Sequence, residues 1–181
     1  MPTGTITSLL IGKLHPNQIL AEHPDAFVLG IFPEDFVFAD HVCNITLEKS
    51  KTYIAIGNNN TLLPPDVKSI TMKDLVHLPL IIVDVQEEQN FQNTMLKQLR
   101  KYGEPNIRFV AHTINTAPPI VASGIGVRLH IKFSFTKDMY EDTYRLVSIK
   151  SAPKFALTLL HHKDMPQDKV AFGVNLFQHK K

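Results

Sequence analysis

The spacing of hydrophobic positions changes several times along the chain, and the densest set of changes falls within residues 78–131. Leu78-Pro79-Leu80-Ile81-Ile82-Val83 is a short apolar run rich in β-branched residues, the pattern of a strand covered on both faces. Over residues 91–102, Phe91, Met95, Leu96 and Leu99 recur at helical spacing, Lys97, Arg100 and Lys101 gather in the last turn, and Gly103 stands just beyond. This predicts an amphipathic helix. Residues 106–111 return to strand character. Thr113, Asn115 and Thr116 then offer capping oxygens ahead of Pro118 and Pro119, which suit the first turn of a second helix. That helix is expected to end at Ser123-Gly124-Ile125-Gly126-Val127. One glycine would take a left-handed cap and the other would let the next strand pack closely.

Outside this segment, residues 6–14 read as a strand, 17–22 as a short helix, and 26–32 and 52–56 as strands, together forming a first lobe. Asn58-Asn59-Asn60, with Pro64-Pro65 soon after, reads as a turn-rich crossing into a second lobe. Ser151-Ala152-Pro153 marks the return, and residues 155–160 re-enter the first sheet. The last element, residues 167–178, places Val170, Val174 and Phe177 along one helical side, with Phe172 and Leu176 widening the apolar face. The expected division is residues 1–57 plus 150–181 as the first lobe and 58–149 as the second.

The run Ile120-Val121-Ala122-Ser123-Gly124-Ile125-Gly126-Val127, placed after a strand, a polar turn and a helix, resembles the regulatory (effector-binding) domain of LysR-type bacterial transcription regulators. Pro24-Asp25-Ala26-Phe27-Val28-Leu29-Gly30 resembles the family's strand that begins with an acidic residue after a short helix. Lys51-Thr52-Tyr53-Ile54-Ala55-Ile56 resembles the strand leading into the second subdomain. Phe155-Ala156-Leu157-Thr158-Leu159-Leu160, followed by His161-His162-Lys163-Asp164, resembles the strand that crosses back before the terminal helix. The resemblance implies an α/β, two-lobed fold of the type 2 periplasmic-binding-protein kind. It also implies an incomplete first lobe, since family members begin with a further strand and a long helix ahead of residues 6–14. The winged helix-turn-helix and linker helix that precede the domain in the family have no counterpart in the sequence, so the chain by itself is not expected to bind an operator. A small effector, often an anion or aromatic acid, would be held between the lobes, and the domain would pair with a second copy as a homodimer.

Open parallel sheets bind ligands outside the carboxyl ends of their strands, where helix amino termini present free N–H groups. In the second lobe this rule selects His112, Thr113, Asn115 and Thr116, with Val85 and Gln86 after the first strand. In the first lobe it selects His15 and Asn17, and Gly30, Ile31 and Phe32 at the end of the next strand. Thr113, Asn115 and Thr116 would equally be expected at any helix start. After the glycine pair the sequence departs from the family, which continues with small apolar residues and a proline. Here Arg128 and His130 alternate with Leu129 and Ile131 on one face of a strand, a pattern that a solvated face explains better than a cleft lining.

Composition narrows the function classes. Net charge is only +2 over 181 residues, and the basic residues are spread along the chain apart from Lys180-Lys181, so no phosphate-neutralising stripe is present. The single cysteine, Cys43, rules out an internal disulfide framework and reads as a buried, inert thiol. No secretory signal is visible, and no apolar run approaches the ~20 residues of a membrane span, which together point to the cytoplasm. The nine histidines show no metal-ligand spacing, and His161-His162 would point to opposite faces of a strand. Neither a nucleophile elbow nor a phosphate-binding loop occurs, and Gly124-Ile125-Gly126 lacks the third glycine of a dinucleotide fingerprint. No catalytic residue, metal or cofactor is expected. The alternative function is a solute-binding or enzymatic domain sharing the same bilobal fold.

Overall fold

A computed structural model of the chain describes residues 15–134 and 141–178, and for residues 86–89 and 178 the backbone alone. The predicted strand at residues 6–14 lies outside the described residues. Among these residues the chain forms two sheets, one of three strands and one of six, with helices packed between and around them.

Helix α1 (Pro16–Glu22) starts with a proline in its first turn, and the His15 ring accepts a hydrogen bond from the Asn17 N–H at 3.4 Å. Strand β1 (Phe27–Pro33) follows, then β2 (Val42–Ser50), an element with no strand prediction in the sequence. Both pair antiparallel with β9 (Phe155–His162), giving the order β1-β9-β2. Central β9 is buried from Phe155 to His161, because α1 and a cluster of phenylalanines cover one face and the other faces helices.

The chain passes from the small sheet to the large one in extended conformation. Lys51 alone separates β2 from β3 (Thr52–Gly57), which pairs with β7 (Val127–Ile131) on one side and β8 (Tyr144–Lys150) on the other. Residues 52–56, grouped by the sequence with the first lobe, are thus central to the six-stranded sheet, and the asparagine turn comes after the crossing. The return runs through Ser151, whose φ of +57° is unusual for a residue with a side chain. Buried Thr52 donates through Oγ1 to the Pro153 carbonyl at 2.5 Å, tying the two crossings together.

The large sheet has the order β4-β8-β3-β7-β5-β6, where β4 is Ser69–Thr71, β5 Leu80–Val83 and β6 Ile107–Ala111. Strand β5 pairs parallel with both β6 and β7. Helices α2 (Met72–Leu75) and α3 (Gln86–Leu99) cover one face, and α4 (Ala117–Ala122) packs on the other. The main apolar cluster includes Phe91, Met95, Leu96 and Leu99 of α3 and Phe155 of β9, with Ile31 of β1 packed against it. Phe91 and Phe155 meet edge to face at 4.9 Å, so the two sheets share one core.

The glycine pair behaves as its sequence context predicts. Gly124 ends α4 at φ +82°, while a Cβ on Gly126 would lie 2.5 Å from the Pro79 carbonyl oxygen. The terminal helix α5 (Gln167–Gln178) buries Val170 and closes Gly173 on the Phe27 ring. Val174 is half-buried, whereas Phe172, Leu176 and Phe177 turn outward at 44%, 43% and 44% exposed. Among the described residues no helix is long and apolar enough to cross a membrane.

Candidate functional site

Parallel pairing brings the carboxyl ends of β5 and β6 side by side. Val83 stands opposite Ala111, and the Asp84 N–H donates to the Ala111 carbonyl at 2.7 Å. Two helical starts open from this edge. One is α3, a 14-residue helix whose N-cap residue, Val85, makes no side-chain capping bond. The other is a tight helical turn (Ile114–Thr116) leading into α4, where Thr113 Oγ1 accepts from the Thr116 N–H at 3.2 Å and Thr116 Oγ1 donates to the Thr113 carbonyl at 2.9 Å. His112, Thr113, Asn115 and Thr116 are all exposed there. The structure therefore gathers Val85, Gln86 and the 112–116 turn at one end of the sheet. The two threonine hydroxyls already serve each other as caps.

The first-sheet candidates separate by strand period. Gly30 and Phe32 face α1, and the Phe32 ring lies so close to Gly30 that a Cβ there would approach it to 2.6 Å. The Phe32 ring meets Phe36 at a tilt at 5.2 Å and Phe38 edge to face at 5.1 Å, and His15 lies over Phe36 at 6.2 Å. Asn17 is half-buried beside them with its Oδ1 buried and, among the described residues, without a hydrogen-bond partner, while its carbonyl accepts from His41 Nε2 at 2.9 Å. Ile31 points the other way, into the core shared with α3. The packing of α3 on β1 therefore brings Ile31 toward the second-sheet group, because Phe91, in the same cluster, is only about 8 Å along the helix from Gln86. His15, Asn17, Gly30 and Phe32 form a second, aromatic group.

Two buried polar residues escaped the sequence reading. Gln92 is 6% exposed and its amide bonds both the N–H and the carbonyl of Val83, at 2.9 and 2.8 Å, holding the end of β5 where β7 diverges from it. The available signal was its position, since Gln92 falls on the same helical side as Met95, Leu96 and Leu99. Arg128 is 7% exposed, in register with Ala55 and Ile81 on the face beneath α4, and the half-buried His130 ring lies 5.9 Å from that of Tyr144. The expected solvated face is corrected here, because β7 lies between β3 and β5 and both its faces are covered. Cys43 is likewise half-buried rather than buried, on a sheet edge. An open groove of about 400 Å³, lined by Asp25, His162, Asp164 and Lys169 among others, lies where α1 ends and α5 begins and includes no predicted site residue. Among the described residues no three His, Cys, Asp or Glu side chains gather as a metal site.

No protein-family model matches the sequence, and no curated protein matches it. Solved structures do. The C-terminal domain of a probable LysR-family transcriptional regulator from Rhodococcus sp. RHA1 superposes with a TM-score of 0.63 at 17% identity, over 82% of this chain and 73% of that one. The effector-binding domain of a BenM variant superposes at 0.66 and 14% identity, over 90% and 74%. A variant of OxyR from Corynebacterium glutamicum superposes at 0.66 and 12% identity, over 89% of this chain and 49% of that one. The fold is that of the effector-binding domains of LysR-type regulators, of the type 2 periplasmic-binding-protein kind. The chain spans about three quarters of the isolated domains and about half of the longer OxyR chain.

Proposed function

We propose that the chain is the ligand-sensing regulatory domain of a LysR-type transcription regulator. A small acid would bind at the end of β5 and β6, with its carboxylate on the α3 amino terminus and its body against the 112–116 turn and the Ile31 side of β1. The observation that carries this reading is the pair of helical starts opening side by side from adjacent parallel strand ends, one of them with a valine at its N-cap. Free N–H groups and the helix dipole together favour an anion at such a start. DNA contact belongs to a helix-turn-helix domain outside these residues, the domain works in the cytoplasm without chemistry of its own, and it acts as a homodimer. The likeness to regulator effector-binding domains supports a sensing role over a catalytic one.

The test is a thermal-shift screen with aliphatic and aromatic carboxylic acids. A ligand at 100 times its dissociation constant should add about 2.7 kcal/mol of stability. Replacing Thr113 and Asn115 by Ala should reduce the shift, and Val85→Asp, which places a carboxylate on the same N–H groups, should abolish it. A shift unaltered in all three variants places the ligand elsewhere.

A further inference from the structure

The strand that carries the chain from the small sheet to the large one is bonded through its side chains to the exit of β7. Thr52 pairs with Ile131 in the β3–β7 ladder, and beyond that pair side chains continue the ladder in place of backbone. Ser50 Oγ accepts from the Lys132 N–H at 3.1 Å and donates to the Lys51 carbonyl at 2.9 Å. Glu48 then takes Ser134 twice, one carboxylate oxygen accepting from the N–H and the other from the hydroxyl, each at 2.7 Å. Glu48 and Ser50 belong to β2 of the small sheet, whereas residues 132–134 follow on from β7 of the large one.

The bulge in β2 aims these side chains. Thr46 stands opposite Thr158, so in a regular strand Glu48 would stand opposite Ala156; the extra residue, Leu47, brings it opposite Leu157 instead, and Ser50 opposite Phe155. One inserted residue turns the remainder of a strand over to its other face. Glu48 and Ser50 thereby leave the α1 side of the sheet for the side on which Phe155 meets α3. Lys49 takes the opposite side and reaches Glu34 at 3.6 Å. The bonds also differ in exposure, since Thr52 and Ser50 are buried, Glu48 is half-buried and Ser134 is exposed. Parting a buried polar group from its partner is costly, whereas an exposed one exchanges its partner for water at small net cost. The inner bonds therefore act as a fixed pivot, and the outermost can open.

We propose that the Glu48–Ser134 pair is a releasable strap between the two sheets. Closed, it fixes their relative orientation. Open, it lets them slide slightly within the shared core about the buried bonds of Ser50 and Thr52, the shear motion that packed elements allow. For the acid-binding reading above, on which this sentence alone rests, the strap sets how far the Ile31 side of β1 stands from the ends of β5 and β6.

Double electron–electron resonance on the full chain without ligand tests the strap. Spin labels go on Asn44→Cys of the small sheet and Arg108→Cys of the large one, both exposed positions, in a Cys43→Ser background. With Glu48 in place the distance distribution should be single and narrow. Glu48→Ala should broaden or split it while leaving the circular dichroism unchanged. Glu48→Gln should restore the narrow distribution, because its amide oxygen can accept from the Ser134 N–H and its NH2 can donate to the Ser134 hydroxyl. Ser134→Ala, which keeps the N–H bond and loses the other, should fall between, and it does not depend on the Glu48 variants folding. A distribution unchanged in Glu48→Ala and Ser134→Ala, one already broad with Glu48 in place, or one as broad in Glu48→Gln as in Glu48→Ala overturns the strap. None of these outcomes bears on the acid-binding reading, which the thermal shift judges separately.

Discussion

At the scale of single residues, backbone and polar constraints can be told apart by the size of their effects. Gly124 stands at φ +82° with open space around it, the nearest atom to an added Cβ being Asn60 Nδ2 at 3.9 Å. Gly124→Ala should therefore cost only the left-handed backbone term, about 1 kcal/mol. At Gly126 the obstacle is the backbone carbonyl of Pro79, so β5 and β7 must move apart, and Gly126→Ala should cost roughly 2–3 kcal/mol. Urea denaturation should return that order; the reverse would mean the close approach at Pro79 is easily relaxed. Gln92→Leu should cost about 2–3 kcal/mol, since it strips the Val83 N–H and carbonyl of buried partners. Asp74 offers a test of sign. The Thr71 hydroxyl and backbone N–H bond its carboxylate in a capping box and hold its pKa below the usual 3.8. A depressed carboxyl pKa contributes stability that is present above the unfolded value and is lost as pH falls through the folded one, so this cap should fail only below about pH 4. Thr71→Ala should move the Asp74 titration back up, as followed by its carboxyl NMR signal.

At the scale of elements, the sequence was most legible where periodicity and punctuation coincide. The strand, helix, strand, helix order of residues 78–131 is present, with the glycine pair in both of its expected roles. Helix α3 begins five residues before the apolar pattern does, because its first turn, starting at Gln86, is polar and Val85 is not a capping residue type. The crossing between sheets was misplaced for a related reason. Turn chemistry marks reversals of direction, whereas the chain leaves the small sheet through an extended Lys51 that carries no such mark. The burial of Thr52 and of residues 54–57 was the overlooked sign of a central strand. The alternation of Asn44, Ile45, Thr46 and Leu47 was the overlooked sign of strand β2, a pattern that the bulge between Thr46 and Glu48 breaks off. The candidate site shows the same limit. Strand ends and helix starts were readable, but which candidates share a face was not, since Ile31 and its neighbours Gly30 and Phe32 part company only once β1 is placed between α1 and α3.

At the scale of the molecule, Lys and Arg number 19 against 17 Asp and Glu, and the excess is not gathered into a stripe. Any complex of this chain with duplex DNA should accordingly be non-specific and vanish between about 50 and 200 mM salt; a salt-resistant complex with one duplex by fluorescence polarisation would contradict this. The shared core carries a stronger consequence. Phe155 belongs to the small sheet and Phe91 to the helix that covers the large one, yet they meet at 4.9 Å within a single apolar cluster. Neither sheet can lose its fold without exposing part of the other's core, so the two should unfold together. Phe91→Ala should cost about 3–5 kcal/mol and lower the opening free energy of both sheets alike. Hydrogen exchange followed by mass spectrometry reads this directly, through peptides spanning β9 and peptides spanning β5 and β7. Equal protection that falls equally in the variant means that a ligand held on the α3 side stabilises the small sheet as well, and so reaches β1. Protection lost in the large sheet alone would show the sheets to be independent, and binding at one would leave the other unmoved.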